Sequence, residues 1–260
     1  MNITDNMQKE FLEKIKEFRL LDDDFMSKVF EDDYECIELL LHIIMEKPDL
    51  KVEEVRTQYS IKNLLGRSVR LDIHAIDSVG KKYNIEVQRA DKGAAVKRAR
   101  YNCSIMDANA LMPGADFDDL PETYVIFITE KDVIGDNQPI YHVDRIVKET
   151  GKKFGDEAHI IYVNGAYQDD TPLGMLMYDF SCKNPDNMHY KLLADKTRYF
   201  KENEKGVASM CKIMEDLIDN EKRESALRML ADGELSLEKI AKYSGLTLEQ
   251  VRELAQLQMV

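Results

Sequence analysis

Hydrophobic and polar positions alternate most cleanly over residues 68–76. There Val69, Leu71, Ile73 and Ala75 interleave with Arg70, Asp72 and His74. A second run, residues 83–88, sets Tyr83, Ile85 and Val87 against Asn84, Glu86 and Gln88. A period of two places successive side chains on opposite faces of a strand. Between the runs stands Asp77-Ser78-Val79-Gly80-Lys81. Three loop residues ending in glycine suit a type I turn with a glycine bulge, so the pattern predicts a β-hairpin.

Elsewhere the period lengthens. Ile37, Leu40, Leu41, Ile44 and Met45 recur at helical spacing over residues 32–46, and Pro48 stops that helix. Asp22, Asp23 and Asp24 precede Phe25-Met26, a helix start with carboxylates at the positive end of the dipole. Residues 50–58 read as a strand through Val52 and Val55. Residues 94–110 place Val96, Ala99, Cys103, Met106 and Ala110 on one helix face. Strands follow at 123–129, a buried run, then at 140–143 and 159–163. From Pro172 onward the pattern is helical, with long helices over 188–205 and 207–223. Residues 236–259 form two short helices around Ser244-Gly245-Leu246-Thr247. This order predicts an α/β or α+β core in residues 1–205 and a helical C-terminal region in 206–260.

Composition narrows the class. In 260 residues, 44% hydrophobic and 33% charged, the chain buries a real core rather than staying disordered. No apolar run is long enough to span a bilayer, and Met1-Asn2-Ile3-Thr4-Asp5 does not open a signal peptide. Cys36, Cys103, Cys182 and Cys211 lie far apart, as reduced structural cysteines of a cytoplasmic protein would. The five histidines form no His-x-x-x-His pair, which argues against zinc. The net charge of −13 argues, taken whole, against a nucleic-acid partner.

The hairpin spacing carries the chemistry. If Asp77 and Lys81 close the loop, facing residue numbers sum to 158, and Asp72 faces Glu86. Facing side chains have Cβ atoms ~4.5–5.5 Å apart, and like charges there repel. A shared proton or a hard divalent cation such as Mg2+ relieves that repulsion. A solvated surface pair is the plain alternative.

These residues resemble the PD-(D/E)XK nuclease core, and more narrowly the recombination-promoting nucleases, the PD-(D/E)XK nuclease family transposases. Matching pieces are Gly66-Arg67-Ser68-Val69-Arg70-Leu71-Asp72, Asn84-Ile85-Glu86-Val87-Gln88-Arg89 and Lys97-Arg98-Ala99-Arg100-Tyr101. Later pieces are residues 124–129, 160–165 and Tyr199-Phe200-Lys201. The resemblance implies a restriction-endonuclease-like core, a mixed central sheet flanked by helices, with a helical C-terminal extension. It implies that Asp72, Glu86 and the Val87 carbonyl ligate Mg2+, or Mn2+ in its place. Gln88 then occupies the position of the superfamily's lysine, orienting a water without supplying charge. Glu38, on the helix before the first core strand, would orient a metal-bound water. The implied activity is a divalent-metal-dependent DNA endonuclease tied to recombination, mobile elements or phage defence.

Dividing the charge changes its meaning. Residues 61–106 hold ten Lys and Arg against four Asp and Glu, and two of those four acids are the proposed ligands. Residues 1–60 and 107–260 are both acidic. A basic block around the paired carboxylates suits a phosphate-binding cleft. Arg70, Arg89, Lys97, Arg98 and Arg100 are its candidate contacts with DNA, double-stranded on this reading. A salt-bridged surface is the alternative. The tail resembles a helix-turn-helix unit, with Thr247 and Gln250 as a capping box, but it is neutral over 236–260. Val251, Leu254 and Leu257 point instead to docking or self-association. A degenerate nuclease fold that binds DNA without cutting, and a protein-interaction module, are the other function classes.

Overall fold

Strand ranges fall within two residues of the alternation at most ends. The computed structural model describes residues 3–61, 68–89 and 91–257. Three helices, α1 (Ile3–Glu17), α2 (Asp23–Phe30) and α3 (Tyr34–Ile44), lead into β1 (Val52–Ile61). The hairpin is β2 (Val69–Asp77) and β3 (Lys82–Gln88), followed by α4 (Val96–Ala110). Then come β4 (Thr123–Thr129), β5 (Ile140–Val143) and β6 (Ala158–Asn164). The remainder is α5 (Pro172–Ser181), α6 (Lys191–Glu202), α7 (Glu204–Asp232), α8 (Leu237–Ser244) and α9 (Leu248–Leu257). Lys62, Gly66 and Arg67, and the expected helix end at Met259, lie outside the described residues.

The six strands form one mixed sheet in the order β1-β2-β3-β4-β6-β5. β1, β2 and β3 are antiparallel neighbours, β3-β4 and β4-β6 are parallel, and β5 is antiparallel to β6. Parallel neighbours require a crossover, and α4 supplies it between β3 and β4. α4 packs Ala99, Cys103 and Met106 onto Val125, Phe127 and Tyr162. α2 lies against β1 and β2, and α3 lies against β1 and α5. Covered on both faces, β4 is buried along its whole length, which is why Tyr124-Val125-Ile126-Phe127-Ile128 reads as an unbroken apolar run. The fold is thus the PD-(D/E)XK-like α/β arrangement, with helices at the C-terminus.

The hairpin turn follows its sequence. Gly80 adopts φ 86° and its N–H donates to the Asp77 carbonyl at 2.9 Å. Asp77 accepts from the N–H groups of Val79 and Lys81 and from the Tyr83 hydroxyl at 2.8 Å.

The chain divides into two compact units. Residues 16–201 form one, and residues 1–15 with 202–260 form the other. In the first, the Lys201 ammonium is buried and donates to the carbonyls of Lys16, Phe18 and Lys183, with Phe25 beneath it at 5.5 Å. Burial pulls its pKa down to about 8. Lys201→Met keeps the stem but leaves those carbonyls without a donor. We expect a loss of about 3 kcal/mol in urea unfolding, since each orphaned buried polar group costs roughly 1–3 kcal/mol. An unchanged midpoint would refute this.

In the second unit, α7 runs to Asp232, past the expected end at Arg223, and stops at Gly233 with φ 73°. α8, α9 and the end of α7 share a small core of Ala226, Ile240, Leu246 and Val251, with Leu254 packed against it. The capping box forms: Thr247 N–H donates to Gln250 Oε1 at 2.8 Å, and Gln250 N–H to Thr247 Oγ1 at 3.2 Å. Val251 and Leu254, expected on an open docking face, are therefore used inside this small bundle. Leu257 stays exposed.

Candidate active site

The predicted register holds. Ile73↔Ile85, His74↔Asn84, Ala75↔Tyr83 and Ile76↔Lys82 each sum to 158. Asp72 and Glu86 come next, but the ladder ends before them. The Asp72 carboxylate accepts instead from the Val87 N–H at 3.0 Å. On the other side of β2, Gln58 stands opposite Asp72 by register, and its backbone is left-handed at φ 52°. Neither Gln58 nor Asp72 belongs to a ladder pair. Asp72 thus sits where β2 loses regular pairing on both sides.

Both carboxylates are buried, Glu86 completely and Asp72 to 7% exposure. The solvated-surface alternative is excluded by that burial. Desolvation raises the Asp72 pKa, and the negative charges of Glu86 and Asp23 push the same way. The Val87 N–H and Arg98 oppose the rise without cancelling it. Glu86 is likewise raised by burial, against the pull of Arg98 and Asn84. Asn84 Nδ2 donates to Glu86 Oε1 at 3.1 Å, and the Arg98 guanidinium pairs with Oε2. Asn84 Oδ1 is buried without a partner.

Asp23, at the start of α2, is the third acid acting on this pair. In the sequence Asp23 reads only as a helix-start residue, and nothing in the local pattern ties it to residues about fifty positions away. Glu38 is not brought to the pair. Its carboxylate accepts from Val52 N–H at 2.9 Å and Lys51 Nζ at 3.0 Å. β1 begins there, opposite Asp77, at the turn end of the hairpin. Those two bonds outweigh desolvation and hold the Glu38 carboxyl below its usual range.

The cations take different places. Arg70, Lys97, Arg98 and Arg100 line a cleft of ≈ 970 Å3 between the start of β2 and α4, together with Asn102. Its described lining holds no carboxylate. Arg70 pairs with Gln58 Oε1, whose amide in turn donates to Asp23 at 3.0 Å. Arg89 is elsewhere. It bonds Asp22 at 2.7 Å and approaches Glu130 at 3.7 Å, and Arg19 shares both acids.

Residues 24–166 match the model of a family described as PD-(D/E)XK nuclease family transposase. The chain belongs to that family. No curated protein and no solved structure matches it. Membership in the PD-(D/E)XK nuclease family transposases supports a nuclease related to mobile elements, with DNA as substrate, and such nucleases usually use divalent metals. Among the described residues no helix is long and apolar enough to cross a membrane.

The Gln88 side chain lies over Gly93. A Cβ on Gly93 would fall 1.8 Å from Gln88 Oε1 and 2.7 Å from its Cδ. Only glycine leaves that amide where it is. Gly93→Ala is expected to displace the flexible Gln88 side chain with a stability change under about 1 kcal/mol and a clear loss of nuclease rate. A wild-type rate at unchanged melting temperature would count against a role for the Gln88 amide.

Proposed function

We propose that this protein is a divalent-metal-dependent endonuclease that hydrolyses phosphodiester bonds of double-stranded DNA in the cytoplasm. The observation that carries the reading is the basic cleft, without a carboxylate in its described lining, joined to the buried Asp72–Glu86 pair through Arg98, which belongs to both.

The donor set suits Mg2+ or Mn2+. No cluster of three or more His, Cys, Asp or Glu stands arranged for a metal among the described residues. Mg2+ asks for less, since it keeps several waters and takes one or two carboxylates. Two buried carboxylates with raised pKa values, paired among the described residues with the one cation Arg98, carry more negative charge once both ionise than that cation neutralises, and a divalent ion would offset it. Asp72, Glu86 and the Val87 carbonyl would hold the ion. Once bound, it supplies Lewis acidity and a more acidic water.

The chain's own residues do the rest. Arg70, Lys97 and Arg100 bind backbone phosphates and fix the register of the duplex. The Gln88 amide orients a water by hydrogen bonding but brings no positive charge to it. Asp23 adds to the negative field that favours a cation. Four free cysteines agree with a reducing compartment.

Supercoiled plasmid incubated with the purified chain tests the reading. With Mg2+ or Mn2+ we expect nicked and linear products, and with EDTA none. Gel retardation without cleavage under either metal would favour a DNA-binding module. No retardation at low salt would leave a protein-interaction role.

A further inference from the structure

Both oxygens of Glu86 are engaged. Oε1 accepts from Asn84, and Oε2 pairs with Arg98. The same guanidinium donates to the Gly93 carbonyl at 2.9 Å and lies 5.9 Å from the Phe127 ring centroid. Its side chain is 37% exposed and lines the cleft, whereas that of Glu86 is 0% exposed. One cation therefore spans the buried carboxylates and the open basic cleft.

A guanidinium and a divalent cation compete for one carboxylate oxygen. Both are positive, and in a buried site their repulsion is weakly screened. A phosphate, by contrast, offers the guanidinium a bidentate partner as good as the carboxylate. We infer that Arg98 is a latch on the metal site. It pairs with Glu86 while the cleft is empty and turns to a phosphate when DNA enters, so that DNA and the divalent cation bind with positive coupling. The inference rests on Asp72 and Glu86 being the metal ligands.

Two observations support the turn. The Gly93 bond and the Phe127 ring, which neighbours Glu86 in the sheet, hold the guanidinium by contacts separate from the Glu86 pairing, giving it a pivot. Asn102 follows Arg98 by one turn of α4 and lines the cleft, 1% exposed, with neither Nδ2 nor Oδ1 partnered. It offers an acceptor on the helix face that Arg98 shares. Coupling of this kind is reciprocal, so it has a signature in each ligand alone.

The first measurement is calorimetric titration of the full chain with MnCl2, without DNA. Arg98→Gln should bind Mn2+ about tenfold tighter than wild type, and Asp72→Asn should abolish binding in either background. The second is fluorescence anisotropy of a short DNA duplex in EDTA. Glu86→Gln releases the guanidinium and should tighten duplex binding about three- to tenfold. That gain should vanish in Glu86→Gln/Arg98→Gln, whereas a mere change of field would leave it intact. Circular dichroism establishes that each variant is folded, and the anisotropy arm for Glu86→Gln stands even if Arg98→Gln alone does not fold. If Mn2+ binds at Asp72 but Arg98→Gln binds it no tighter, the latch is wrong and the metal reading survives. If neither wild type nor Arg98→Gln binds Mn2+, the metal reading falls and the latch with it. A gain that persists in the double variant also overturns the latch.

Discussion

Asp72→Asn is expected to reduce metal-dependent DNA cleavage at least about 100-fold while making the metal-free protein more stable at neutral pH. The two effects share one cause. Asp72 is buried beside Glu86 and within the field of Asp23, and its pKa is raised by that burial first and by those charges second. A raised carboxyl pKa means the folded chain binds more protons than the unfolded chain between the ordinary aspartate value and the folded one. Stability contributed by the protonated form is full at low pH and is lost as pH rises toward about 8. Asparagine keeps an acceptor for the Val87 N–H and removes the charge. In EDTA, the melting temperature of wild type should therefore fall between about pH 4 and pH 8, and that of Asp72→Asn should fall less. Each kcal/mol corresponds to about 2–4 °C in a chain of this size. A variant that cuts like wild type would remove Asp72 from the site, and parallel pH profiles would show that its charge is not what the fold opposes. Glu86→Gln should lose cleavage to a similar degree.

The second large effect concerns the cleft. Arg70, Lys97 and Arg100 all line it, and none is bound to either carboxylate of the central pair. Each phosphate contact adds about 0.9 to the slope of log affinity against log salt. Replacing all three with alanine should flatten that slope by about 2.7 and weaken duplex binding more than 100-fold at 50 mM salt. Stability should change little, because the hydrogen bond lost, from Arg70 to Gln58, is an exposed one. Anisotropy titrations at several salt concentrations measure the slope. An unaltered slope would place the phosphates elsewhere. Arg89→Ala is the matched control. That guanidinium is committed to Asp22 and Glu130, so its loss should move the melting temperature more than the slope.

The hairpin could be read residue by residue because its information is local. A two-residue period and a glycine at the third loop position give the 158 register of the four observed pairs, and Asp72 and Glu86 lie just past the last of them. β4 was legible for a related reason, since a strand covered on both faces has no polar alternation to hide it. What escaped was set by packing between distant segments. The spacing put the carboxylates on a polar face, yet both are buried, with Asp23 of α2 and Arg98 of α4 acting on them. The resemblance implies a water-orienting role for Glu38, whereas its bonds to Lys51 and Val52 hold it at the other end of the hairpin. Asp23, from a helix one element earlier, acts on the pair through its charge instead. Arg98 reads in the sequence as a phosphate contact, through its charge and its place in the basic block, and its pairing with Glu86 needs the crossover helix to bring residue 98 back to β3.

Gln58 carries a consequence of a different kind. β1 is the outer strand of the sheet, ten residues long, and a straight edge of that length is a template for another chain. The left-handed backbone at Gln58 interrupts the extended conformation along that edge. The same residue sends its amide to Asp23 and Ser27 and accepts from Arg70. Resistance to edge-to-edge aggregation and the posture of the cleft wall therefore depend on one peptide unit, and a substitution that straightens the strand would alter both at once.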